Sequence, residues 1–357
     1  MSRIIDDIQL DYSDVVIAPH PSEGIVSRKD VDLTRSIKYD FIRGIPMINS
    51  NMSTTGTLEL AREMLKAGMF ATLHKHYKAS EVVEFMKSLE EDQRPRFFIP
   101  IGMRDTGLNI NDLKFIRDEL IKDGKFPGNI LLDVPNAYIE PVIKLVENIR
   151  NIIDEDGNGG LLMVGNVCDI PGCQDLFEAG ADIIKIGVAP GSKCRTRDTT
   201  GVARPQFSAV YECARCAHEN GKFICADGGL QNSGDVCKAF AAGADIVMSG
   251  FLYAGTYEAS GDIVDREDGI YKLYYGMASS FAQKIYNGGI AEYRTSEGAC
   301  GLIKYTGRVS DMNKHICGAL RSCMTYVGVK NLQELGKTAF FYKVNNPHIS
   351  HFDKEGD

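Results

Sequence analysis

The chain reads as an α/β protein built on a TIM (β/α)8 barrel, and three observations carry that reading. Eight short apolar runs are spaced over residues 46–250, and each ends in Gly or polar residues. The runs are continuously apolar rather than alternating, the pattern of parallel strands covered on both faces. Between them the sequence turns helical, with near-identical joints at Lys66-Ala67-Gly68-Met69, Glu178-Ala179-Gly180-Ala181 and Ala241-Ala242-Gly243-Ala244. The glycine stands where a helix C-cap belongs, and the next strand starts at once. Eight such units in series, with no reversal of pattern, fit a barrel better than a doubly wound sheet.

Taken in order, the expected strands are 46–52, 69–75, 96–103, 128–135, 161–167, 182–188, 222–229 and 245–250. A helix over 57–66 places Leu58, Leu60, Ala61, Met64 and Leu65 on one apolar face; others fall at 171–179 and 234–242. In a barrel the strands' C-terminal ends form the active face. The polar ends here are Asn49 and Asn51, His74 and Lys75, Asp133, Gly165 and Asn166, the loop carrying Cys194, Asp227-Gly228-Gly229, and Ser249-Gly250. After residue 250 the pattern breaks into an acidic Gly/Ser stretch, a Tyr-rich segment and a polar region, before a helical region with Leu320, Met324 and Val327. A long polar loop in a compact barrel is usually a lid, so residues 251–310 are expected to contain a flap within one barrel domain spanning 1–357.

The bulk numbers set bounds. With 357 residues, 44% hydrophobic and 25% charged, the chain is long enough for a large core. Its net charge of -8 argues against a nucleic-acid surface, although a local cationic cluster can still bind a small anion. Acids occupy the N-terminal stretch and no apolar run approaches membrane-spanning length, so a cytoplasmic protein without membrane contact is expected. The ten cysteines then read as free thiols. Cys213 and Cys216 form a Cys-x-x-Cys with no second pair at ligand spacing, which favours an ordinary helix face over a metal or redox site.

One cysteine lies in different surroundings. Cys194 follows the sixth strand in a Gly/Pro-punctuated loop, among Lys193, Arg195 and Arg197, which favour the thiolate. That makes it a candidate nucleophile, with Thr196 two residues on as a proton-relay partner. No nearby histidine is dictated: His74 and His76 sit at the second strand's mouth, His218 on a helix surface, and His315, His348 and His351 in late segments. Asp227 suits a ribose diol and Gly228 and Gly229 suit a phosphate held by backbone N–H groups, though an ordinary tight turn explains the same residues. Glu297, in the expected flap, is either a general acid/base or a solvated charge. Asp133 and Asn136 follow the fourth strand and suit a second ligand. There is no Gly-x-Gly-x-x-Gly fingerprint, so a nicotinamide cofactor would bind outside a Rossmann unit.

Over nearly its whole length the chain resembles the GMP reductase branch of the IMP dehydrogenase/GMP reductase family. The resemblance rests on Asn51-Met52-Ser53-Thr54-Thr55-Gly56-Thr57, Leu73-His74-Lys75-His76-Tyr77, the Cys194 loop with Thr200-Gly201-Val202, and Asp227-Gly228-Gly229. It continues through Tyr275-Gly276-Met277, Ala291-Glu292-Tyr293-Arg294 and Thr325-Tyr326-Val327-Gly328. It implies a tetrameric barrel without the CBS pair of many IMP dehydrogenases. The implied activity is NADPH-dependent reduction of GMP to IMP with release of ammonia, through a covalent adduct of Cys194 at purine C2. Thr196 and Glu297 supply the proton.

By the same resemblance Asp227, Gly228, Gly229, Gly250 and Phe251 bind ribose and phosphate, while Gly276, Met277, Ala278, Arg294, Ser296 and Gly298 close over the base and nucleotide. Lys75, Asp133, Val134, Pro135, Ala189 and Met277 meet the cofactor, with Ser27 and Arg28 reaching in from a neighbouring subunit. The resemblance also implies a potassium ion held by the carbonyls of Ala189, Gly191, Cys194 and Arg197. The chain departs from the family pattern at Ser53, Ala189, Arg195, Leu230, Thr256, Tyr257 and Ala299, which leaves open a modified substrate. The competing readings are the same chemistry on dGMP or another guanine nucleotide, NAD-dependent IMP dehydrogenase, and a nucleotide-binding regulator without turnover.

Overall fold

The computed structural model describes residues 4–21, 27–38, 41–103, 107–122, 128–155 and 159–344. His348 and His351 lie outside the described residues. Eight parallel strands form the barrel: β1 (Ile42–Asn49), β2 (Met69–Thr72), β3 (Phe97–Ile101), β4 (Asn129–Asp133), β5 (Leu162–Val167), β6 (Ile183–Ile186), β7 (Phe223–Asp227) and β8 (Ile246–Ser249). Pairing of Val247 with Met47 and of Ser249 with Asn49 joins β8 to β1 and closes the ring. The helices follow in alternation: α1 (Leu58–Lys66), α2 (Ala79–Ser88), α3 (Ile110–Ile121), α4 (Glu140–Asp154), α5 (Ile170–Glu178), α6 (Gln206–Glu219), α7 (Ser233–Ala241) and α8 (Val309–Val327). The TIM barrel expected from the sequence is the observed fold, and no CBS insertion interrupts it among the described residues.

The continuous apolar runs divide as two-sided burial requires. Ile48, Phe70, Phe98, Leu131, Met163, Ile183 and Met248 fill the barrel interior. Their neighbours Met47, Phe97, Ile99, Leu132, Val164 and Ile184 face the helices. The repeated joints behave as C-caps: Gly68, Gly180 and Gly243 have φ of 72°, 108° and 104°, the left-handed region that glycine enters without steric cost. Thr57 caps α1, its hydroxyl accepting from the Leu60 N–H at 3.1 Å. Seven of the eight expected strands overshoot at their C-terminal ends, by as much as three residues at 46–52 and at 69–75, where β2 stops at Thr72. Leu73 stays buried after the ladder ends, so an apolar residue there marks burial rather than strand.

A polar ring closes the barrel's N-terminal end. The Asn129 Oδ1 accepts from the Leu161 N–H at 2.9 Å, Asp182 Oδ2 from Leu162 at 3.0 Å, and Asp245 Oδ2 from Ile224 at 2.8 Å. Arg150 and Lys38 pair with Asp182, and Arg35 pairs with Asp245. His218 also bonds Asp245, at 3.1 Å, so it is more than the helix-surface residue expected. Arg35 belongs to a short strand, Arg35–Ile37, that pairs antiparallel with β1 and places Ile37 under the interior layer. A second short pair joins Val15–Ile17 to Phe341–Lys343.

The region after β8 differs from the loop expected. Strands Ile263–Arg266, Gly269–Tyr275 and Cys300–Lys304 form an antiparallel sheet, and Ser280–Asn287 is helical. The sequence hid this sheet because one of its inward positions is Lys272. That lysine is buried, and its ammonium donates to the carbonyls of Thr256, Tyr257 and Ala259. Among the described residues no helix is long and apolar enough to cross a membrane.

Candidate active site

The C-terminal strand ends open onto a cavity of about 1160 Å³. Pockets for one small ligand run to roughly 300–1,000 Å³, so this one has room for two. Cys194, Thr196, Glu297, Asp227, Gly228, Gly229, Gly250, Phe251, Gly276, Met277, Ala278, Arg294 and Gly298 line it. So do Lys75, Asp133, Val134, Pro135, Ala189, Gly191 and Asn136.

The Cys194 loop is built by local turns. The Cys194 N–H returns to the Gly191 carbonyl at 3.0 Å, and a short helix, Thr196–Thr200, follows. The Cys194 Sγ lies 3.2 Å from Thr196 Oγ1. Lys193 stands with its ammonium 5.6 Å from the centre of the Tyr274 ring. Arg195 and Arg197 are exposed and do not line the cavity.

Glu297 is stitched to this loop. The Arg195 N–H donates to the Glu297 carbonyl at 2.7 Å, and the Ala299 N–H donates to the Lys193 carbonyl at 2.9 Å. On the other side the Glu297 N–H reaches the Ala278 carbonyl at 3.2 Å. The Cys194 and Gly298 backbones thus pair as an antiparallel bridge. Gly298 is required by the close approach of the Ala278–Ser279 backbone on its other side, since a Cβ there would stand 2.5 Å from the Ser279 nitrogen. The backbone that carries Glu297 is therefore held in register with that of Cys194.

Beneath them lies a chain of alternating charges. Lys75 Nζ is 3.1 Å from Asp133 Oδ2, Lys185 Nζ is 3.7 Å from Asp133 Oδ1, and Lys185 Nζ is 3.0 Å from Asp227 Oδ2. Asn166 Nδ2 donates to the same Asp227 oxygen at 2.9 Å. Burial alone would raise the Asp133 pKa, but the Lys75 and Lys185 ammoniums hold it at about 2. Asp133 therefore stays anionic across the working pH range. Lys185 was missed in the sequence reading. The signal was a lone lysine in the apolar run Ile183–Ile186, where an inward position needs a carboxylate partner.

Towards β7 and β8, Gly228 and Gly229 take φ of 91° and 78°. Consecutive glycines of this kind let backbone N–H groups gather around an anion. The Tyr274 hydroxyl bonds Ser192, and burial pushes its pKa up to about 12. It remains a neutral phenol. His74 is pushed down to about 4 by burial and by the adjacent His76, so it is neutral too. Its ring stacks on Tyr77 at 4.3 Å, while His76 stacks on Tyr286 of the post-barrel helix at 3.9 Å.

Four expected residues stand apart from the cavity wall. Ser296 lies behind it, its hydroxyl donating to the Gly298 carbonyl at 3.1 Å. Arg197 is in the short helix, and Ser27 and Arg28 sit on an exposed turn. The departures from the family pattern also sort by position. Arg195, Thr256, Tyr257 and Ala299 do not line the cavity, whereas Leu230 does. Ser53 bonds both the Tyr275 hydroxyl and Met277 Sδ at 3.2 Å. Ala189 has a φ of 62°, in the left-handed region that glycine favours. Among the described residues no three His, Cys, Asp or Glu side chains are grouped to hold a metal.

Comparison with known proteins gives the family. The IMP dehydrogenase / GMP reductase domain matches residues 9–351. GMP reductase 2 of Mus musculus is 40% identical over 359 residues, covering 98% of this chain and 99% of its own. GMP reductase 1 of Rattus norvegicus is 40% identical over 358 residues, covering 99% and 100%. GMP reductase of Caenorhabditis elegans is 39% identical over 353 residues, covering 96% and 94%. The chain is an oxidoreductase belonging to the IMP dehydrogenase/GMP reductase family.

Proposed function

We propose that the protein reduces GMP to IMP with NADPH and releases ammonia. The observation that carries the reading is the convergence of Cys194, Thr196 and Glu297 on a cavity whose floor presents Asp227. The Cys194 thiolate adds to purine C2, and the ring takes up a proton. Collapse of that adduct breaks the C2–NH2 bond, and the amine leaves as ammonia after accepting a proton through Thr196 and Glu297. NADPH, when bound, supplies the hydride that C2 then needs. The C2–S bond breaks and the ring gives up the proton it gained on addition, returning the thiolate and giving neutral IMP.

Asp227 is assigned to the ribose, and the Gly228, Gly229, Gly250 and Phe251 backbone to the phosphate. Gly276, Met277, Ala278, Arg294, Ser296 and Gly298 are assigned to closure over the nucleotide. Lys75, Asp133, Val134, Pro135, Ala189 and Met277 are assigned to the nicotinamide cofactor, with Ser27 and Arg28 serving it across a subunit boundary in a homotetramer. The exposed position of Ser27 and Arg28 on their own chain fits that role. A potassium ion fits the nucleophile loop: the Ala189 and Cys194 carbonyls accept no hydrogen bond among those of the described residues. The Gly191 and Arg197 carbonyls accept one each, leaving each a second lone pair. The ion would brace the loop electrostatically. A cytoplasmic location completes the reading.

The test is a substrate panel with purified protein in potassium buffer. NADPH loss and ammonia release with GMP are expected. No NADPH loss with GMP would overturn the proposal, preference for dGMP would shift the substrate, and NADH formation from IMP and NAD would reassign the reaction. Thr196→Val removes the hydroxyl beside the thiol and should lower kcat by about 10²–10⁴-fold. Its KM for GMP should stay within a few-fold.

A further inference from the structure

Lys185 is the buried charge with no role so far. Its side chain points into the barrel above Ile183 and is 1% exposed. The fold makes room for it: a Cβ on the neighbouring Gly165 would collide with the Lys185 Cβ. Burying an ammonium is costly unless it is paired and hydrogen-bonded. Here it meets Asp227 Oδ2 at 3.0 Å, Asn51 Oδ1 at 3.3 Å and Asp133 Oδ1 at 3.7 Å.

Two features of this arrangement point towards ligands. Asp227 spends Oδ2 on Lys185 and Asn166, while Oδ1 has no hydrogen-bond partner among the described residues. Asp133 receives Lys185 on one oxygen and Lys75 on the other. Both carboxylates line the cavity, and they belong to β7 and β4, on different parts of the ring. One ammonium thus touches a carboxylate on each side of the site.

We propose that Lys185 is a positioning residue that couples the nucleotide and cofactor sites. It orients Asp227 with one oxygen free for a ribose hydroxyl. It also transmits a change at Asp133 to Asp227, because both draw on the same cation. Binding of GMP and of NADP⁺ is then cooperative, and each tightens the other by the same factor. The inference rests on the assignment of Asp227 to ribose and Asp133 to the cofactor. Without Lys185 the two carboxylates repel, and Asp227 loses its fixed geometry.

Calorimetric titrations with GMP and 2′,3′-dideoxyguanosine monophosphate test this. The intact protein should prefer GMP by at least tenfold, and saturating NADP⁺ should tighten GMP at least fivefold. Lys185→Met should bring both ratios within twofold of one, and Lys185→Arg should restore both. Should Lys185→Met fail to fold, Lys185→Gln, of similar reach and without charge, carries the same expectation. A Lys185→Met or Lys185→Gln protein that keeps both ratios while only its melting temperature falls overturns the proposal. So does the absence of coupling in the intact protein. Failure of the intact protein to bind GMP at all would instead overturn the nucleotide assignment beneath it.

Discussion

Replacing Cys194 by alanine should lower turnover of GMP by at least about 10⁴-fold, as loss of a nucleophile that acts as one unit with its partners does. The residue presents its sulfur to the cavity, 3.2 Å from the Thr196 hydroxyl. In the proposed route every later step depends on the C2–S bond: departure of the amine, delivery of hydride and release of IMP. Alanine removes that bond without disturbing the fold locally, because the loop's turn and its bridge to Gly298 use backbone atoms alone. GMP affinity should therefore remain within a few-fold by calorimetry. NADPH oxidation at more than a few per cent of the unmodified rate would rule out the covalent route.

The largest effect on stability is expected far from that chemistry. Asp245 is fully buried and is held by Arg35, His218 and the Ile224 N–H. Alanine at this position leaves the Arg35 guanidinium without its carboxylate and the Ile224 amide without an acceptor. Removing one member of such a pair typically costs about 3–5 kcal/mol. Asparagine keeps an acceptor for the amide and should cost less. The measurement is the denaturant midpoint, with the slope unchanged between variants. An Asp245→Ala protein within 1 kcal/mol of the parent, on the order of an ordinary surface change, would contradict this account.

The sequence displayed what repeats and hid what occurs once. Eight apolar runs and three Ala-Gly joints were legible because each is a local pattern that recurs with the βα unit. Cys194 was legible because a loop thiol among cations is out of place. Lys185 and Lys272 were not, because a single lysine in an apolar strand looks like an interruption until the partner carboxylate or carbonyl is seen. Pairing of Val15–Ile17 with Phe341–Lys343 joins three-residue strands from distant parts of the chain, and neither carries a pattern long enough to read. Where the departing residues lie was also beyond the sequence: Arg195, adjacent to Cys194, is exposed and outside the cavity lining.

The bridge between Cys194 and Gly298 bears on how this enzyme can change. A flap that merely covered a pocket could be swapped between relatives as an independent module to alter what enters. This one shares backbone hydrogen bonds with the loop that carries the thiol, so a grafted segment must reproduce the spacing of Glu297, Gly298 and Ala299 as well as its own contacts to ligand. On the proposed roles of Glu297 and Gly298, specificity and reactivity are inherited together, and variation in substrate choice is steered to the residues outside that shared stretch.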